Sequence, residues 1–243
     1  MNTNSTYEIN PESDSFCVIS GILYCSNEER LDRIKEIYQI CDELGIDTIL
    51  NCGNLVSSYV REDLLPSYAY NTCLDYVINN HPYSKNIKMY SISGANGALV
   101  SYSSAHKPGN YARDINEEIS KNRDDIIHIG YCCRKVRIRG LNIYLYSNAK
   151  DIKDGFSIDH EYPKHSKAYI EKEIKANPNT DLVCVGPNDS VSHYMIGNTK
   201  VLNIGNVSDY GTGYHPLCIV DVKPYKKKVK SRVMYYPLKT SYK

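Results

Sequence analysis

Tryptophan is absent from this chain of 243 residues and phenylalanine occurs only twice, against 23 tyrosines, an imbalance we ascribe to codon usage rather than to function. Long apolar runs are missing too. Residues 16–20 and 182–185 fall far short of the roughly 20 that a membrane helix needs, which excludes a helical span and a membrane partner. Neither sign of charge is in excess: Lys plus Arg number 29 and Asp plus Glu 28, and a formal net charge of +1 creates no field that by itself recruits nucleic acid or an anionic surface. Partners therefore have to be argued from sites. The nine cysteines, at 17, 25, 41, 52, 73, 132, 133, 184 and 218, include no C-x-x-C pair and are odd in number. Several lie inside apolar runs, the pattern of reduced cytoplasmic thiols packed as small hydrophobes and not of a disulfide framework or zinc knuckle.

What is present is an ordinary globular balance, 42% hydrophobic and 23% charged, with enough length for a sizeable core. Residues 1–15 are polar and lack both a basic start and an apolar segment, so they are expected to be a disordered leader and not a signal peptide. Residues 16–20 read as a buried strand that ends at Gly21. Asn27, Glu28 and Glu29 offer a cap and acids to a helix in which Leu31, Ile34, Ile37, Tyr38, Cys41 and Leu44 recur at helical spacing until Gly45. Residues 47–52 form the next strand, ending at Gly53 and Asn54, which completes a βαβ unit. Further helices are expected over 70–80, 112–121 and 164–176. Further strands are expected over 88–93, 126–131, 134–138, 142–146, 181–185, 200–204, 216–222 and 229–235. No linker, repeat or low-complexity tract divides residues 16–243, so one domain is expected there.

In open α/β sheets the functional groups sit in loops at the carboxyl ends of strands. Here those loops are residues 20–23, 53–56, 93–97, 146–148 and 185–189. Their order and spacing, with the connecting segments 45–50, 123–130 and 203–207, resemble the calcineurin-like metallophosphoesterases over residues 16–237, in particular the compact bacterial and phage branch related to DNA-repair exonucleases. The resemblance implies a four-layer α/β/β/α sandwich with mixed sheets. It also implies a site for two divalent ions such as manganese, held by D-x-H, G-D, G-N-H-D or G-N-H-E, a lone His and G-H-x-H. Carboxylates, imidazoles and an Asn hold such a pair, which activates a water and clamps phosphate oxygens.

Carried over position by position, both ligands of D-x-H fall on Gly21 and Leu23, and the Asp of G-D falls on Asn54. The Asn, His and acid of the third loop fall on Ala95, Asn96 and Gly97; the lone His falls on Ser147 or Asn148; the last two His positions become Pro187 and Asp189. In that last loop only Asp189 keeps a group able to ligate a cation. Loss of a residue that merely supports a ligand costs about 10 to 100-fold in metal affinity or activity, and here the ligands themselves are replaced. Clustered carboxylates without a metal repel one another, so neutral residues are what a metal-independent version of the fold should carry. The expectation is a pseudoenzyme with no catalytic residues and no cofactor, acting as a binding or scaffold module for a protein partner.

Two other readings compete with it. A divergent phosphoesterase or nuclease would need a non-standard metal site, either Asp189 with His193 and Asn54, or the polar cluster of Asp159, His160 and His165; a solvated loop explains the second composition equally well. A nucleic-acid or phosphate binder would use the vacated cleft, where Asn54, Asn96, Asn148 and Asn188 supply polar groups, together with the basic run Lys226, Lys227, Lys228, Lys230 and Arg232. The plainer reading of that run is an exposed hairpin edge protected by lysine. His128 is expected to be packed in its strand, and Cys132 and Cys133 beside it to belong to the core.

Overall fold

The structure is a computed structural model that describes residues 5–57, 69–94, 111–147, 167–188, 191–208, 216–225 and 228–238. Alternation along the strands builds the layers. In β2 (Ser15–Ile19), Phe16 and Val18 point to one face and Cys17 and Ile19 to the other. Phe16 and Val18 join Leu50, Ile92, Ile129, Val136, Ile138, Leu145, Leu182 and Leu202 in a core between two sheets. Cys17 and Ile19, with Ile49 and Met89, face helices instead. They pack against Ile34, Ile37 and Cys41 of α1 (Leu31–Glu43), Cys73 and Val77 of α2 (Ala69–Asn80), and Ile115 and Ile119 of α3 (Tyr111–Asn122). On the far side Tyr144, Tyr146, Val183, Val185 and Val201 pack with Ile170 of α4 (Lys167–Ala176). Three apolar clusters thus separate four layers, α/β/β/α, as expected.

One sheet runs β12 (Lys228–Tyr236), β11 (Leu217–Tyr225), β2, β3 (Thr48–Asn51), β4 (Lys88–Ile92), β5 (Ile126–Gly130). Its strands β2 to β5 are parallel, while β11 is antiparallel to β2 and β12. The other runs β1 (Tyr7–Ile9), β6 (Cys133–Ile138), β7 (Leu141–Ser147), β8 (Leu182–Asn188), β10 (Thr199–Gly205), β9 (Ser192–Ile196), and is likewise mixed. Parallel strands joined by helices bring their carboxyl ends to one side, and that places the loops discussed below. Among the described residues no helix is long and apolar enough to cross a membrane.

Three expectations need correction. The disordered leader does not hold over residues 5–15, because Tyr7–Ile9 pairs with Val136, Arg137 and Ile138 and buries Ile9. The Asp47 carboxylate then accepts the Glu12 and Ser13 amides at 2.6 and 3.3 Å, which anchors the turn into β2. The first helix starts at Leu31 and has no capping side chain at Arg30. Glu29, expected in the helix, instead accepts the Cys25 amide at 2.7 Å and the Tyr76 hydroxyl at 2.5 Å. Strand β8 continues past Val185 through Pro187 to Asn188, where a loop was expected.

Candidate functional site at the strand ends

The strand-end loops are laced together by backbone hydrogen bonds. Gly21 donates to the Gly53 carbonyl at 3.0 Å, Leu23 to Asn54 at 3.1 Å, Asn54 to Ser93 at 3.0 Å and Gly94 to Tyr131 at 3.0 Å. Ser147 donates to Cys132 at 2.8 Å, and Val207 and Ser208 donate to Ser20 and Gly21 at 2.9 and 3.0 Å. Gly21, Leu23, Asn54 and Ser147 are therefore held close together, and Pro187 Cβ lies 3.1 Å from where a Cβ on Gly21 would stand. Asn54 and Leu23 are buried and both have positive φ, 59° and 54°. Asn tolerates that conformation and Leu does not, so Leu23 is a point of backbone strain.

Side chains fill what these loops enclose. A Cβ on Gly21 would lie 2.0 Å from Asn206 Oδ1. One on Gly94 would lie 2.4 Å from Asn54 Oδ1 and 2.7 Å from Ser147 Oγ, and one on Gly186 would lie 2.4 Å from Ser20 Oγ. The fillers are themselves tied down. Asn206 Nδ2 donates to the Asn188 carbonyl at 3.2 Å, Asn188 Nδ2 to Val185 at 2.6 Å, and Ser20 Oγ to Gly205 at 3.0 Å. Ser147 Oγ, almost wholly buried between Gly53 and Gly94, has no hydrogen-bond partner, and neither has Asn51 Oδ1, whose amide nitrogen donates to Ser91 Oγ at 2.9 Å. No local sequence signal singles out Asn206 or Ser20, because the packing that makes each of them matter joins residues about as far apart as the chain allows.

The other candidates among the described residues stand on other strands. His193 stands on the edge strand β9, opposite Leu202, with Nδ1 2.8 Å from the Tyr235 hydroxyl and its ring stacked on that tyrosine. It is not at the strand-end loops with Asn54. His128 is buried in β5 with Nε2 2.9 Å from Ser93 Oγ. Lys230 and Arg232 are exposed on β12, opposite Lys223 and Asp221, and Lys228 pairs with Tyr225. Ala95, Asn96, Gly97, Asn148, Asp159, His160, His165, Asp189, Lys226 and Lys227 lie outside the described residues. Among the described residues no three His, Cys, Asp or Glu side chains gather into a group that could hold a metal ion. A cavity of about 330 Å³ lies at the opposite ends of β6 to β8, lined by Lys135, Arg137, Asn142, Asn177 and Thr180 among others. Arg137 is engaged there by Asn142 and Glu8 at 2.9 and 3.1 Å.

Solved structures share this architecture. An archaeal phosphodiesterase is 15% identical, with 90% of this chain covering 99% of that one at a TM-score of 0.52. A hypothetical protein of Pyrococcus horikoshii is 17% identical, with 94% of this chain covering 90% of that one at 0.50. The fold is that of the calcineurin-like metallophosphoesterases. Zinc-bound Vps29 of Entamoeba histolytica also aligns, at 12% identity over 91% of this chain and 98% of that one, with a TM-score of 0.43. No protein-family model matches the chain, and no curated protein matches it. At these identities the likeness concerns the fold, and chemistry has to come from the residues.

Proposed function

We propose that this metallophosphoesterase-fold chain works by binding a protein partner in the cytoplasm, without two-metal hydrolysis. The observation that carries the reading is the overlap at Gly21: the Asn206 amide occupies the space into which a ligand carboxylate at that position would extend. The described donor set does not fit a pair of divalent ions. Gly21, Leu23 and Pro187 have no polar side-chain atom, and Asn54 and Ser147 are neutral and packed so close to Gly94 that a side chain there would strike both. Neutral groups cannot supply the charge that two dications require. For a partner, the edges of the two sheets offer Met195, Tyr235 and Tyr236, exposed by 54%, 37% and 41%. Aromatic and Met side chains of that kind are enriched at interfaces. All nine cysteines are thiols and not disulfides, which supports a reducing compartment.

A nucleic-acid partner is the second reading. It is supported by Lys223 standing directly opposite Lys230, which sets two cations side by side on the β11–β12 ladder. The deciding experiment supplies manganese and either bis-p-nitrophenyl phosphate or single-stranded DNA to the purified full chain. No turnover is expected. Turnover that Asp189→Ala abolishes would overturn the reading in favour of a hydrolase with a non-standard site. A partner recovered from the native host that Met195→Asp fails to recover would support the binding role.

A further inference from the structure

Seven of the nine cysteines are buried; the two that reach solvent, Cys132 and Cys133, are neighbours in sequence. Cys132 ends the short connection between β5, the edge of one sheet, and β6 of the other, and Cys133 is the first residue of β6. We propose that Cys132 and Cys133 are a reactive vicinal dithiol, reversibly oxidised to an intramolecular disulfide by small disulfides such as glutathione disulfide. The two thiols hydrogen-bond each other, and Cys133 has a second hydrogen bond to Tyr144 on β7. The Cys132 thiol donating to a thiolate at Cys133 holds Cys133 down to about 6, helped by Tyr144 and the Lys135 cation and opposed by burial and Glu173. Cys132 is correspondingly raised, so the pair gives up one proton readily and keeps the other. A partly exposed thiolate with a neighbouring thiol is the arrangement that thiol–disulfide exchange needs.

The reaction balances without any group beyond the named oxidant. Cys133 thiolate attacks one sulfur of glutathione disulfide, that S–S bond breaks, and one glutathione leaves as thiolate and takes a proton from water. Cys132 then loses its proton to solvent and attacks the Cys133 sulfur, displacing the second glutathione. Two electrons and two protons have passed from the cysteine pair to the disulfide. Consecutive Cα atoms lie about 3.8 Å apart across a trans peptide, below the roughly 4.4–6.8 Å that disulfides usually span. The bond is thus strained and easily reduced again, the property of a regulatory disulfide and not a structural one.

The connection is also what the strand-end loops hold on to. Its carbonyls at Gly130, Tyr131 and Cys132 accept the amides of Ser93, Gly94 and Ser147 at 3.0, 3.0 and 2.8 Å. Closing a small ring through Cys132 and Cys133 reorients the Cys132 peptide and loosens these bonds, whatever the loops bind.

The full reduced chain incubated with glutathione disulfide, then mapped by mass spectrometry, tests this. The expected product lacks two hydrogens on the peptide containing Cys132 and Cys133, is restored by dithiothreitol, and shows faster amide exchange at Gly94 and Ser147. Cys132→Ser should stop at the mixed disulfide on Cys133, and iodoacetamide should label Cys132 and Cys133 of the folded wild type before any other cysteine. Thiols that stay reduced, a mixed disulfide that persists in the wild type, or a disulfide formed with a buried cysteine would overturn the proposal. Unchanged exchange at Gly94 and Ser147 in the oxidised form would remove the coupling to the loops.

Discussion

Gly21 and Asn206 share one space: a Cβ on Gly21 would sit 2.0 Å from Asn206 Oδ1, and the Gly21 backbone holds φ at +61°. Gly21→Ala meets both obstacles. The left-handed backbone costs about 1–2 kcal/mol for an L-residue, and overpacking a tight site adds about 1–3 kcal/mol. Chemical denaturation should show a loss of about 2–5 kcal/mol. Asn206→Ala in the same chain should return the packing share and leave the backbone share, a coupling that distant residues do not show. Gly21→Asp is expected to lose at least as much and to gain no manganese binding by calorimetry.

The four layers were legible only through the family resemblance; the apolar run of residues 16–20 by itself announces one strand buried on both faces, Phe16 and Val18 on one and Cys17 and Ile19 on the other. The strand-end loops at Gly21, Gly53 and Gly94 were readable as well, because each follows an apolar run that ends at its glycine. What escaped were β1 and β9, edge strands of three and five residues whose partners β6 and β10 supply most of the reason for them to form. The helix start escaped because Glu29 is taken up by Cys25 and Tyr76. Asn206 as the group that fills the site depends on packing across the whole chain, which no window of sequence contains.

Arg123 ties the helical layer to the sheet. Its Nε and one amino group engage the Asp125 carboxylate at 2.7 and 2.5 Å, and its amino groups reach the carbonyls of Ile78, His81 and Pro82 at 3.0, 2.9 and 2.9 Å. Arg123→Ala leaves Asp125 buried and unpaired, which costs about 3–5 kcal/mol. Arg123→Ala with Asp125→Ala should cost less than the two single losses added together. Denaturant midpoints of the three variants measure the difference.

His81 sits at the end of the same helix with Tyr24 and Tyr38 on its two ring nitrogens, at 2.8 and 2.7 Å. Burial, then the Arg123 charge, lowers it from 6.5 to about 3, so the native state holds the ring neutral. The depressed value fixes the sign: below 6.5 the unfolded chain takes up a proton that the folded chain refuses, until the pH reaches about 3. Its contribution is fully present above pH 6.5 and declines as the pH falls through that window. The wild type minus His81→Gln difference in unfolding free energy should fall by about 1.4 kcal/mol per pH unit in the middle of the window. A flat difference would mean that the ring is protonated in the folded protein.

The β11–β12 hairpin separates the two readings of its lysines. Lys223 faces Lys230 across the ladder, and β12 is the edge of its sheet. If the lysines protect that edge, Lys228→Thr with Lys230→Thr leaves an exposed strand of alternating apolar residues that pairs with other copies. Light scattering should then rise with protein concentration in the double variant and stay flat in the wild type. If they bind phosphates, single-stranded DNA should bind the wild type with a steep salt dependence. Charge reversal at Lys226, Lys227 and Lys228 should then weaken binding and reduce the salt slope by about one for each phosphate-binding lysine replaced. Edge protection is the outcome we expect, because Asp221 stands opposite Arg232 in the same ladder and offsets part of the charge that a polyanion would need. Salt-sensitive DNA binding by the wild type, abolished on charge reversal while the protein remains monodisperse, would decide for the nucleic-acid reading.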